Sequence, residues 1–278
     1  MSNYLVCVSE KISAPIEKLK AIIESKRYIA ESLDHQVLAF LGMFVLKNAF
    51  RPETIARYAA SYFEHLGGPG LEKTPFHVTE VKIKHENPLH DILAEPELRS
   101  IAGNFFGGNV GADFIRVVKK DKKNFLSVFL HQDTCYQIGS FQRYSLFIPL
   151  THCHYANGGL VLYPGTHNYG YLGDAGEISN VLPAGYPKVE TNTRPGDVLI
   201  MHSGTWHESP ENGELTDRVY LEVHIQDINE PTTKFVIGGQ RQTEWLLHLT
   251  ENELFVNSRT QRIKRLYDEV DKLKGAAV

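Results

Sequence analysis

His131-Gln132-Asp133 sets an imidazole and a carboxylate two residues apart. On a β-strand that spacing puts both on one face, because successive side chains alternate across the sheet. Non-haem Fe(II) of the facial-triad type takes two imidazoles and one carboxylate on one side and leaves the opposite positions open. The pair therefore supplies two of three ligands, and a second imidazole has to come from elsewhere in the chain. By itself the pattern is weak. With 13 His in the chain, roughly half an occurrence is expected by chance, and a surface His beside a turn Asp looks the same.

Its company gives it weight. Asn157-Gly158-Gly159-Leu160 runs on to Pro164-Gly165-Thr166-His167, and Arg194-Pro195-Gly196-Asp197 opens a strand-like run to His202. Trp206-His207-Glu208-Ser209-Pro210-Glu211-Asn212 follows, and then Arg218. In these residues the chain resembles the phytanoyl-CoA dioxygenase family of 2-oxoglutarate oxygenases, from about Gly42 to Gln226; the strand-to-helix start at Gly42–Glu53 is similar too.

The resemblance implies a set of roles. His131 and Asp133 sit on one barrel strand, and His207, on a strand further along, completes an Fe(II) triad. Arg218, eleven residues beyond His207, grips the far carboxylate of 2-oxoglutarate, as a planar guanidinium does with two parallel charge-assisted hydrogen bonds. A rim salt bridge to Asp217 or Glu222 is its plain structural alternative. Ser209 adds a hydroxyl to the same carboxylate, Gln132 is a further co-substrate contact, and Phe147 is the bulky aromatic beside it. Arg116 and Lys120 lie on a strand that carries co-substrate or substrate contacts in the family, with solvent exposure as the alternative. His154, Tyr220 and His224 are candidate substrate contacts, and His152 is a further one. His167 orders its loop, and His202 is either a donor behind the triad or a core histidine.

These residues need a scaffold. Ile16, Leu19, Ile22 and Ile23 follow Ser13-Ala14-Pro15 at helical spacing, and Arg51-Pro52-Glu53 opens a second helix that ends at Gly67-Gly68. Met43–Leu46 reads as a short strand, and Leu89–Phe106 as one or two short helices. From about Ala112 the period changes to 2. Candidate strands are Asp113–Lys119, Phe125–Asp133, Tyr144–Leu150, Gly159–Tyr163, Asp197–His202 and Arg218–Gln226. In the last, Val219, Leu221, Val223 and Ile225 share one face, while Arg218, Tyr220, Glu222, His224 and Gln226 share the other. That second face suits a polar lumen better than open solvent. Asn168–Tyr186, Gly-rich with three tyrosines, is a lid candidate. Ser258–Leu273 carries a helical apolar spacing.

The expected fold is mainly β with helices: a double-stranded β-helix, the jelly-roll or cupin-like architecture, with N-terminal helices packed on one sheet. One oxygenase domain spans 1–278, with a mainly helical part (1–111), a jelly-roll core (112–230) and a C-terminal extension containing a helix (231–278). The net charge of −4 and a pI near 6.4 argue against nucleic-acid or anionic-membrane partners. The short basic run Lys119–Lys123 reads as a solvated turn between strands. Cys7, Cys135 and Cys153 are too few for a disulfide framework or a closed zinc site. No stretch has the ~18 apolar residues of a membrane span, and Met1–Glu10 lacks a signal-peptide pattern. The expectation is a cytoplasmic monomer or homodimer acting on a small molecule. It uses Fe(II), with 2-oxoglutarate and O₂ as co-substrates, to hydroxylate a polar or anionic metabolite. The same oxidant used for desaturation, cyclisation or epimerisation of a natural-product intermediate is the nearest alternative; a non-oxidative cupin-like metal or ligand-binding protein is the alternative from another class.

Overall fold

The computed structural model describes residues 16–64, 71–73, 79–133, 140–170, 182–214 and 216–242. Thirteen strands among them form two sheets. The large sheet carries, in spatial order, β1 (Ile29–Ala30), β2 (Met43–Leu46), β10 (Val198–His202), β7 (Tyr144–Pro149), β12 (Arg218–Asp227), β5 (Val110–Lys120), β4 (Thr79–Ile83) and β3 (Leu71–Lys73), and β13 (Phe235–Gly238) also pairs with β5. The small sheet runs β6 (Val128–His131), β11 (Trp206–Ser209), β8 (Val161–Tyr163) and β9 (Val189–Glu190). All pairings are antiparallel except β1 with β2. Two mainly antiparallel sheets of this kind form the expected jelly-roll fold.

The alternation on β12 decides where the chamber lies. Its apolar set packs into the same core as Leu19, Val37, Leu38, Leu41, Ile55 and Leu98 of the N-terminal helices. Each fully buried side chain of this size contributes roughly 1.5–3 kcal/mol to folding. The N-terminal helices therefore pack on the large sheet, with His35–Leu41 against β2. Its polar set, Arg218, Tyr220, Glu222, His224 and Gln226, is buried as well, so the second face is a lumen and not a solvent face.

Two helices show why they form where they do. Asp34 caps His35–Leu41 by accepting from the Gln36 and Val37 N–H groups, and Gly42 closes it at φ 71°. A Cβ at Gly42 would lie 2.4 Å from both the His167 ring and the Thr205 hydroxyl, so glycine is required twice over. Pro52 starts the next helix, which runs to Glu64 and buries Thr54, Ile55, Tyr58 and Tyr62.

The first part of the chain is less helical than expected. Besides the expected β2 it contains β1, β3 and β4, and β9 and β13 were not anticipated either. These are strands of two to five residues, too short for an alternation to show, and their neighbours in the sheet stabilise them. Strand β6 is shorter than its sequence pattern, starting at Val128. The basic run is not wholly a turn: Lys119 and Lys120 belong to β5, and Lys120 is fully buried. Residues 171–181 of the lid candidate and the whole C-terminal helix candidate lie outside the described residues.

Candidate metal centre

His131 on β6 and His207 on β11 are direct partners across the small sheet. Their rings stand 4.2 Å apart, centroid to centroid. Asp133 follows two residues after the end of β6. Its Oδ1 lies 3.7 Å from the His131 Nε2 and 3.8 Å from the His207 Nε2. One donor atom from each of the three residues falls within 4.8 Å of the others. Each histidine is fixed through its other nitrogen: His131 Nδ1 bonds the Phe129 carbonyl at 2.8 Å and His207 Nδ1 the Thr205 carbonyl at 3.0 Å. That places the proton on Nδ1 and leaves the Nε2 lone pairs converging on one point. Burial, and then the neighbouring His207, push the His131 imidazole down to about 4. It is neutral at ordinary pH, as a metal ligand must be. Two imidazoles and a carboxylate on one side fit Fe(II) of the facial-triad type.

The large sheet supplies the opposite wall. Register places Arg116, Glu222 and Phe147 side by side on β5, β12 and β7, and Phe114, His224 and Ser145 in the next row. Arg116 donates from Nε to Glu222 Oε2 at 2.5 Å and from Nη2 to Oε1 at 3.1 Å. His224 Nε2 lies 2.6 Å from Glu222 Oε1 and 2.8 Å from the Ser145 hydroxyl, and Ser145 Oγ reaches Asp133 Oδ2 at 3.4 Å. Burial alone would lift the Glu222 carboxyl, but the Arg116 charge and then His224 outweigh it and hold it well below the ordinary range. Asp133, Glu222 and His224 are also close enough for a shared cation. The Arg116 guanidinium occupies both Glu222 oxygens, so that cluster is an internal ion pair and not a second metal site.

Arg218 stands one end of the chamber away, buried and opposite Lys120 in the β12–β5 register. The two carboxylates considered as rim partners for Arg218 are held by other cations: Asp217 by Lys119 at 3.3 Å and Glu222 by Arg116. Arg218 Nη1 donates to the Val118 carbonyl at 3.3 Å. Lys120 donates to the carbonyls of Ser209 and Pro210. Burial and then the Arg218 charge push the Lys120 ammonium down to about 6. Ser209 is buried beside them, its hydroxyl donating to Gly158 O at 2.7 Å. Phe147 and Tyr220 meet edge to face at 5.6 Å on the wall between the two ends.

Other candidate residues have partners within the protein. The Gln132 amide donates to the carbonyls of Gly204 at 2.6 Å and Gly170 at 2.9 Å. Through these bonds it ties together the loops that frame the triad. His154 pairs with Glu214 at 3.0 Å and stacks on the exposed His152. His202 accepts from the Gly204 N–H at 3.0 Å and packs against His167 and Phe141; burial and then His167 push it down to about 3. It is a core histidine. His167 bonds the Ala39 carbonyl at 2.9 Å and so ties its loop to the helix ending at Leu41. Glu222 and Ser145 were not singled out from the sequence. The signal for Glu222 was its place on the polar face of β12, and for Ser145 it was a lone small polar residue within an otherwise apolar strand.

The phytanoyl-CoA dioxygenase (PhyH) family model matches residues 41–218. No curated protein matches the sequence. Among solved structures, the epimerase SnoN in complex with Fe3+, α-ketoglutarate and nogalamycin RO superposes with a TM-score of 0.62 at 16% identity, covering 70% of this chain and 82% of that one. The α-ketoglutarate-dependent carbocyclase SnoK from nogalamycin biosynthesis gives 0.58 at 19% identity, over 76% and 89%. The non-haem monooxygenase ThoJ gives 0.59 at 16% identity, over 85% and 98%. No helix of the described residues is long and apolar enough to cross a membrane.

Proposed function

The chain belongs to the phytanoyl-CoA dioxygenase family, as an Fe(II)- and 2-oxoglutarate-dependent oxygenase, and from that premise we propose that it hydroxylates a small polar metabolite. The observation that carries this reading is the chamber wall opposite the triad. Arg116, Glu222 and His224 bring fixed charge and hydrogen-bonding groups to within a few ångströms of Asp133. These groups are paired with one another, and the local field of that buried ion pair beside the triad favours a polar substrate over an all-hydrocarbon one.

His131, Asp133 and His207 hold Fe(II) in this reading, and Arg218 with Lys120 receives the far carboxylate of 2-oxoglutarate, towards which Ser209 would turn the proton it now gives to the Gly158 carbonyl. Bound iron and co-substrate supply the oxidising power for C–H cleavage, with succinate and CO₂ as by-products. The protein's part is to hold both carbon skeletons in place and to keep water from the reacting centre. The test is incubation with Fe(II), 2-oxoglutarate and a metabolite pool, scored by mass. A product one oxygen heavier supports hydroxylation. A product two hydrogens lighter points to desaturation or ring closure, and one of unchanged mass to epimerisation, the reactions that the names of SnoN and SnoK bring to mind. No consumption of 2-oxoglutarate by the iron-loaded protein would sink the oxygenase reading.

Lys120 gives the co-substrate step a pH signature. A carboxylate arriving beside it favours the charged ammonium, so binding takes up a proton wherever Lys120 is neutral beforehand. Its free-protein value is about 6. Affinity for 2-oxoglutarate is therefore expected to be flat below that pH and to fall by up to about one decade per pH unit above it, until the bound-state value is passed. Lys120→Met should flatten the profile. A Lys120→Met profile with the native slope would remove Lys120 from the carboxylate pocket.

Chlorination is not expected. In a facial triad the carboxylate fills one iron position, 2-oxoglutarate two and O₂ the last, so Asp133 occupies the place a halide would need. Assays of the native protein in high chloride should give no chlorinated product by mass spectrometry; a chlorine isotope pattern would overturn the coordination scheme.

A further inference from the structure

The wall opposite the triad contains a directional hydrogen-bond chain whose last member is a metal ligand. Its order follows from the donors. Arg116 has only donors and keeps Glu222 an anion that only accepts. At 2.6 Å from that anion, His224 Nε2 has to carry a hydrogen, since a bare nitrogen lone pair there would face the carboxylate's. That single Nε2–H is shared between Glu222 Oε1 and the Ser145 oxygen, 2.8 Å away, so Ser145 is the weaker of two acceptors towards His224. Its own proton is left to point at Asp133 Oδ2, 3.4 Å away. All of Ser145, Glu222, His224 and Asp133 are buried, so water does not compete for these positions.

The two oxygens of Asp133 thus have different surroundings. Oδ1 lies at 3.7 and 3.8 Å from the two Nε2 atoms, and Oδ2 faces the Ser145 hydroxyl. We propose that Ser145, oriented by the Arg116–Glu222–His224 chain, is a positioning residue that keeps Asp133 a one-oxygen ligand of the metal. A carboxylate free to swing would bring its second oxygen to the metal and take a position needed for 2-oxoglutarate or O₂. The chain spans three strands of the large sheet and one loop of the small one, so the position of the ligand oxygen is set by the register between sheets.

The inference rests on the iron-oxygenase reading above, and the experiment separates the two. Anaerobic native protein with Fe(II) and 2-oxoglutarate should develop the visible charge-transfer absorption of an iron-bound 2-oxo acid; its absence overturns both. Ser145→Ala should still bind one Fe(II) per chain but with a shifted band and one more ligand counted in the Fe(II) ligand-field spectrum. Its 2-oxoglutarate-dependent O₂ consumption should fall about 10- to 100-fold, the usual range for losing a partner behind a metal ligand. Ser145→Thr, which keeps the hydroxyl, should restore the native band. Glu222→Gln keeps the shape but removes the anion that fixes the His224 proton, and it should shift the band in the same direction as Ser145→Ala. A native band and native ligand count in both Ser145→Ala and Glu222→Gln overturn the positioning role while leaving the oxygenase reading intact.

Discussion

His207→Ala is expected to abolish stoichiometric Fe(II) binding and turnover while leaving the protein folded. The side chain is buried, but its ring contributes mainly to the centre: Nε2 faces Asp133 and Nδ1 is held by the Thr205 carbonyl. Strand β11 keeps its place through backbone pairing with β6 and β8, which alanine preserves. Two ligands remain, His131 and Asp133, and a divalent ion held by two groups gives up its protein ligands readily to water or chelator. The same outcome is expected for His131→Ala and Asp133→Ala. Metal analysis after gel filtration reads iron per chain, and circular dichroism reads the fold. Full iron occupancy in His207→Ala would show that another residue is the distal ligand. His202, five residues earlier, is placed against His167 and Phe141 and cannot substitute without moving β10.

Arg218→Ala should raise the apparent KM for 2-oxoglutarate at least tenfold with a smaller change in iron affinity. Losing one partner of a desolvated, hydrogen-bonded charge pair costs about 2–5 kcal/mol, and each 1.4 kcal/mol is about a factor of ten. Arg218, Tyr220, Lys120 and Cys153 are all buried, so a carboxylate binding there would be largely desolvated and would depend on the guanidinium. Arg218→Lys keeps a charge but loses the planar fork, so its KM should lie between the native and alanine values. An unchanged KM in Arg218→Ala would remove this residue from the co-substrate site, and the buried Lys120 would then be the cation to test.

The candidate ligands were named without a structure, the His131–Asp133 pair from a local spacing and His207 and Arg218 from the resemblance to the family. His131 and Asp133 are two residues apart, Arg218 lies eleven beyond His207, and the alternation along β12 sorted its residues onto two faces. Period-2 patterning says which residues share a face, since that follows from strand geometry alone. It does not say what that face meets. Arg116 and Glu222 are separated by 106 positions along the chain and meet only through the β5–β12 register. The same register puts Lys120 opposite Arg218 and turns a lysine of an apparently solvated basic run into a fully buried one. Ser145 acquires its neighbour Asp133 because β7 of the large sheet lies across from the end of β6 in the small sheet. Gln132 and His154 show the converse: a side chain adjacent in sequence to a candidate ligand or a motif takes whichever partner the fold brings to it, and here those partners include the Gly204 carbonyl and Glu214. Spacing within a strand is enforced by covalent geometry, whereas partners across strands depend on pairing between distant segments, and that pairing exists only once the sheets have closed around the chamber.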